Sequence, residues 1–200
     1  MSPDSVSPIR LVVLISGNGS NLQAIIDDIA NNNLPAQVVA VVSNKADAFG
    51  LERAKKAGIE QRVLSPKEFA DREHYDRALK DLIDEYQPDL IILAGFMRIL
   101  SNEFVHHYLN KMMNIHPSLL PKYKGLNTHQ RAIDAGDKKH GCSVHFVTPE
   151  LDDGPVVLQA TVEIKDNDTA ETLAKRVHEQ EHKIYPEAIR MFAENKINIK

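Results

Sequence analysis

The chain has 200 residues, 42% hydrophobic and 26% charged, which suits one globular domain with a sizeable core and excludes a disordered or fibrous chain. A net charge of −4 offers no basic field for nucleic acid. The single cysteine, Cys142, cannot form an internal disulfide, and the longest apolar runs, residues 11–15 and 90–94, are far too short to span a membrane. Residues 1–8, MSPDSVSP, lack the apolar core of a signal peptide and read as a flexible tail, so a cytoplasmic protein is expected.

Residues 9–15 form a nearly unbroken aliphatic run, the pattern of a strand buried on both faces. Ser16-Gly17-Asn18-Gly19-Ser20-Asn21 follows, and then Leu22, Ile25, Ile26 and Ile29 fall at helical spacing with Ser20 as the expected N-cap. Strand, Gly-rich turn and helix start make an anion site, although the same glycines would also serve a plain tight turn. A dinucleotide is disfavoured, because Leu22 stands where a third small residue belongs and the second strand, residues 37–42, ends in Ser43-Asn44 rather than an acid. No Lys-Ser/Thr pair follows the glycines, which excludes a Walker loop and leaves a small phosphorylated substrate.

Residues 48–57 read as a helix closed by Gly58, and 60–64 as a third strand. Ser65-Pro66-Lys67-Glu68 has the form of a capping box with proline at its first position. A helix is therefore expected to start there, with Tyr75, Leu79, Leu82, Ile83 and Tyr86 on one apolar face until Pro88 stops it. A buried strand at 90–94 leads into Gly95-Phe96-Met97-Arg98-Ile99-Leu100, an apolar loop that fits either the wall of a flat ligand's site or a segment folded into the core. Ser101 caps a helix through Tyr108 that carries His106 and His107 on its surface.

Residues 112–116 read as a short strand that stops at Pro117. Asn114 and His116 then face one way and Ile115 the other, which sets an amide beside an imidazole at the carboxyl end of a strand, where open α/β sheets bind ligands. After a loop at 122–127, a short helix at 128–135 is closed by Gly136. Residues 142–147 and 156–164 alternate in polarity and are expected to run antiparallel, with an acidic loop at 148–155 between them. Asp168-Thr169-Ala170-Glu171 opens a final helix that buries Leu173, Val177, Ile184, Ile189 and Phe192 and is expected to kink or break near Pro186. The predicted fold class is α/β, a Rossmann-like mostly parallel sheet with helices on both faces and an antiparallel C-terminal extension, with residues 1–200 in one domain.

With SGNGSN, GFMRIL, NIHPSLLP and SVHFV…LDDGP in place, the chain resembles the phosphoribosylglycinamide formyltransferases over nearly its whole length. These are folate-dependent enzymes of purine biosynthesis. The resemblance implies transfer of the formyl group of 10-formyltetrahydrofolate, a co-substrate, to the amine of glycinamide ribonucleotide, with no metal. It implies that Asn114, His116 and Asp152 are catalytic, His116 as the acid and Asp152 as the carboxylate that favours its imidazolium. It further implies that Gly19, Ser20 and Asn21 hold the substrate phosphate and that Glu181 contacts the nucleotide. The implied folate site comprises Arg72, Met97, Arg98, Ile99, Leu100, Asn114, Thr148, Pro149, Glu150, Leu151 and Asp152.

The chemistry of the residues agrees with this. Attack by an amine builds negative charge on the formyl oxygen, which donors such as Asn114 and His116 can stabilise, while Asp152 can accept the amine's proton directly or through water. Small-molecule partners are expected, with no nucleic acid or membrane, and either a monomer or a homodimer. Asn127 departs from the family, where many relatives carry histidine, and so receives no catalytic role; His129 remains as a support. Lys124 and Cys142 also differ from common forms, and Cys142 reads as buried and inert. The alternatives are a 10-formyltetrahydrofolate hydrolase using the same Asn–His–Asp set with water, and a non-catalytic phosphosugar-binding module.

Overall fold

The computed structural model describes residues 7–199. Of the expected tail, Ser7 and Pro8 are exposed, and residues 1–6 lie outside the described residues. Seven strands form one sheet in the order β3-β2-β1-β4-β5-β6-β7. They are β1 (Ile9–Ile15), β2 (Ala36–Ser43), β3 (Gln61–Val63), β4 (Leu90–Leu93), β5 (Met112–His116), β6 (Lys139–Phe146) and β7 (Val156–Glu163). The first five are parallel, and β6 and β7 run antiparallel beside β5, as their alternating polarity leads one to expect.

The continuous aliphatic run of β1 is explained by burial on both faces. Leu11, Val13 and Ile15 pack into one core with Leu22 and Ile25 of α1 (Ser20–Ala30), Leu51 and Ala54 of α2 (Phe49–Lys56), and Ile189 of a long terminal helix. Val12 and Leu14 point the other way, against Tyr75, Leu79 and Ile83 of α3 (Arg72–Asp84) and Phe104 and Val105 of α4 (Asn102–His107). Each such aliphatic side chain, fully removed from water, contributes about 1.5–3 kcal/mol before the cost of ordering it. A bulge marks β2, where Leu11 pairs with Val38 but Val12 pairs with Ala40. The extra residue, Val39, lets Val38 and Val41 face the same core although they are three apart.

Helix boundaries correct the sequence reading in three places. Ser20 is the first residue of α1, not its cap; the cap is Gly19, in the left-handed region at φ 75°, and no side chain closes that helix end. The Ser65–Glu68 signal yields only a 3₁₀ turn, in which the Ser65 side chain accepts from the Lys67 N–H. Helix α3 starts seven residues on, capped by Asp71, whose carboxylate accepts from the His74 N–H at 2.9 Å. The third strand is shorter than expected, and β6 begins at Lys139 rather than Cys142.

A short helix α5 (Thr128–Asp134) precedes β6. The terminal helix α6 (Ala170–Ala193) is one unbroken element through buried Pro186, capped by a box between Thr169 and Thr172. Ser101 caps α4 as expected, and His106 and His107 are exposed. No helix among the described residues is long and apolar enough to cross a membrane.

Candidate active site

The strand order places the loops after β1 and β4 at the point where the sheet reverses direction, and β5 lies next to β4. Ligand sites form at such a point in open α/β sheets. At the amino end of α1, Gly19 does more than turn the chain. A Cβ added to it would lie 2.7 Å from the Cα of Gly50, so the loop and the start of α2 approach to backbone contact. Arg53 of α2 holds the loop, with Nε donating to the Asn18 carbonyl at 2.8 Å and Nη2 donating to Asn18 Oδ1 at 2.7 Å. The N–H groups of the first turn of α1 are thus fixed in place with no side-chain cap, as an anion requires.

At the carboxyl end of β5, Asn114 and His116 pair across to β6 with His145 and Ser143 respectively. Ser143 is buried and pins the proline-bounded loop, accepting from the Leu120 N–H at 3.1 Å and donating to the Ser118 carbonyl at 2.7 Å. His116 Nε2–H donates to the Tyr123 carbonyl at 2.8 Å, and Nδ1 lies 3.5 Å from Asp152 Oδ2. Both side chains are only 8% exposed, so the contact is shielded from bulk water. Asp152 is fixed by the Gly125 N–H, which donates to Oδ2 at 2.9 Å. An ion pair between Lys124 and Asp153 draws the 122–127 loop further onto the acidic loop.

His145, to which sequence reasoning gave no role, completes this arrangement. Its Nδ1–H donates to the Phe146 carbonyl at 3.0 Å, which leaves Nε2 as an acceptor 3.4 Å from Asn114 Nδ2 and 3.9 Å from Asp152. Burial holds the His145 imidazole below its usual pKa, the nearby His116 acting the same way and Asp152 opposing. A neutral His145 therefore orients the Asn114 amide, and the signal for it is the register of β5 with β6 rather than any motif.

Two cavities meet at Asn114. The larger, about 580 Å³, is lined by Gly19, Ser20 and Asn21 of the loop and first turn of α1, by His116, and by Glu181, Met97, His129 and His178. Glu181 is buried on α6 and accepts from Asn21 Nδ2 at 3.2 Å; burial raises its pKa. The smaller cavity, about 190 Å³, is a slot between Phe96, Arg98, Ile99 and Leu100 on one side and residues 147–152 on the other. In the apolar loop after β4, Phe96 is buried and packs into the core, while Met97 and Ile99 are about 70% exposed. Arg98 stacks over the Tyr75 ring, 4.3 Å from its centroid.

The structure thus gathers Asn114, His116 and Asp152, and gathers Gly19, Ser20, Asn21 and Glu181 around the larger cavity. Met97 faces that cavity rather than the slot, and Arg72, exposed at the start of α3, lines neither. Asn127 is in the left-handed region at φ 56°, a conformation asparagine tolerates well. Cys142 is fully buried, and burial pushes its thiol up to about 12, so it is unreactive at neutral pH.

Uncapped N–H groups at the start of α1 and a partly apolar slot, converging on an amide, an imidazole and a carboxylate, have the form of a group-transfer enzyme's active site. The chain belongs to the formyl transferase family, whose sequence profile matches residues 9–189. It is 57% identical to phosphoribosylglycinamide formyltransferase of Escherichia coli (strain K12) over 190 residues, 95% of this chain and 90% of that protein. Among solved structures, it superposes on phosphoribosylglycinamide formyltransferase from Coxiella burnetii with a TM-score of 0.91 and 52% identity, over 96% of this chain and 92% of that one. Glycinamide ribonucleotide transformylase 1 from Symbiobacterium toebii superposes with a TM-score of 0.94 and 45% identity, over 97% and 92%.

Proposed function

We propose that the chain transfers the formyl group of 10-formyltetrahydrofolate to the amine of glycinamide ribonucleotide, as a single catalytic domain, with Asn114, His116 and Asp152 carrying the chemistry. The observation that supports this reading best is that the cavity for a phosphorylated substrate and the slot for a flat one share Asn114 as a common wall. The slot suits a pterin: the exposed Ile99 and Leu151 offer apolar faces, and Asn114, Thr148 and Asp152 in its lining offer polar groups.

The amine nitrogen bonds to the formyl carbon, and charge accumulates on the formyl oxygen. Asn114, with its Nδ2 held by His145, can donate there. His116 has its Nε2–H committed to the Tyr123 carbonyl, so it can donate to the formyl oxygen from Nδ1, the edge beside Asp152, only as the imidazolium, with a proton on each nitrogen. Asp152 then accepts the proton the amine loses, directly or through one water, and that proton leaves with the folate nitrogen as its bond to the formyl carbon breaks. Losing either oxyanion donor is expected to slow turnover by roughly two to three orders of magnitude.

The test is to follow loss of the formyl group with and without glycinamide ribonucleotide. Turnover that requires the amine supports the transferase. Formate release without it would instead make the chain a hydrolase, and nucleotide binding without any turnover would make it a binding module.

A further inference from the structure

His129 lines the larger cavity, and the mechanism above does not use it. Its Nδ1 lies 3.0 Å from Nε2 of His140, the two rings meeting edge to face at 5.1 Å between centroids. His140 is buried, and burial holds its pKa below the usual value, with Asp137 and the Pro117 carbonyl opposing. Two neutral imidazoles sharing one hydrogen bond need one donor and one acceptor. In the arrangement assigned here the His140 proton is on Nδ1, the edge turned away from His129. His140 Nε2 is then the acceptor and His129 Nδ1–H the donor. That fixes the tautomer of His129 and leaves its Nε2 as a bare lone pair, with no protein partner among the described residues, at the cavity wall.

The charge state agrees with this assignment. Burial, helped by His140, His178 and His116, holds His129 down to about 4, so the ring is uncharged at neutral pH. A neutral acceptor repels a phosphate and attracts an N–H or O–H. Its neighbours locate it along the cavity: His116 stands at the reaction end, and His178, with Glu181, on the α6 wall.

We infer that His129 Nε2 accepts a hydrogen bond from an uncharged N–H or O–H of the nucleotide substrate, between its phosphate and its attacking amine, and so helps to select that substrate. His140 is the positioning residue that sets the tautomer. The inference rests on the reading of the cavity as a phosphorylated-amine site. It makes His129 a recognition group rather than a base or a phosphate ligand.

The experiment uses the full chain with ¹⁵N-labelled histidine at pH 7. His129 is expected to show a protonated Nδ1 and a bare Nε2, and the Nε2 resonance to move when glycinamide ribonucleotide saturates the protein. In parallel, His129→Asn keeps an amide near the Nδ1 position and removes Nε2. It should raise the KM for the nucleotide about 2- to 10-fold, the range for one neutral hydrogen bond, and leave the KM for the folate unchanged. His129→Gln, which returns a polar group near the Nε2 position, should recover part of the loss. A proton on Nε2, an Nε2 resonance indifferent to the nucleotide, or an unchanged nucleotide KM in His129→Asn would each overturn the inference. Wild-type protein without amine-dependent transfer would instead overturn the reading beneath it. The resonance assignment tests the inference in wild-type protein even if the variants fail to fold.

Discussion

The close approach of Gly19 to Gly50 makes the anion cradle unusually sensitive to a single methyl group. In Gly19→Ala the new Cβ would lie 2.7 Å from the Gly50 Cα, a backbone atom that cannot rotate aside, in a residue held at φ 75°. The left-handed conformation costs an alanine about 1–2 kcal/mol, and overpacking adds about 1–3 kcal/mol. Relief requires α2 to move away from the loop, which would loosen the Arg53 bonds to Asn18 and misalign the first-turn N–H groups. The expected loss is about 3 kcal/mol, a fall in Tm of about 6–12 °C for a chain of this size. Thermal unfolding measures that fall, and steady-state kinetics should show the nucleotide KM rising at least tenfold while the folate KM moves by less than twofold. Gly50→Ala should be milder in stability, because its Cβ meets Ile15 Cδ1 at 2.5 Å, a methyl that can swing away. A Gly19→Ala protein within 1 kcal/mol of wild type and with an unchanged nucleotide KM would refute the reasoning.

Three further outcomes are expected. His116→Ala should lower kcat by roughly 10²- to 10⁴-fold while calorimetric nucleotide affinity stays within a few-fold, since the ring is tied to Tyr123 and Asp152 rather than to the phosphate end; equal turnover would remove it from the chemistry. Glu181→Gln should weaken the nucleotide more than the folate, and a change confined to the folate KM would contradict its place on the larger cavity's wall. The His129–His140 pair gives a pH signature: both folded pKa values lie below the unfolded value near 6.5, so between that pH and about 4 the unfolded chain binds more protons. Stability should therefore fall as pH drops through this window, by up to about 1.4 kcal/mol per pH unit for each proton. The denaturant midpoint of His129→Asn should depend less steeply on pH there, and an identical slope would exclude the pair as its source.

The parts of this protein that could be read from sequence are those whose signal is local and repeated. Strands β1 and β4 are aliphatic at every central position because helices cover both faces, and β7 alternates because one of its faces is open, whereas β6 reads as alternating although it is buried from His140 onward, its polar positions Ser143 and His145 being used in the site. The start of α3 was obscured because Ser65-Pro66 is a genuine cap, but of one 3₁₀ turn; the apolar face at Tyr75 and beyond belongs to a helix that Asp71 begins. In the site, Asn114, His116 and Asp152 are visible as residue types in a recognised motif. The Tyr123 carbonyl and the Gly125 N–H are not, because a backbone group has no sequence signature and acquires a role only when a loop folds over it. Gly50 shows the same limit: nothing around it announces a contact with a glycine 31 positions earlier.

Asn114 and His145 are opposed partners on adjacent antiparallel strands. The aim of the amide is consequently inherited from sheet pairing, and pairing changes only in whole steps. Same-face positions on a strand are about 6.6 Å apart, so the donor cannot be slid by half an ångström through the scaffold. Drift and engineering alike are left with the flanking coil around residue 152 as their fine adjustment. That makes the acidic turn the natural place to retune rate, and the ladder beneath it the place where insertions should prove intolerable.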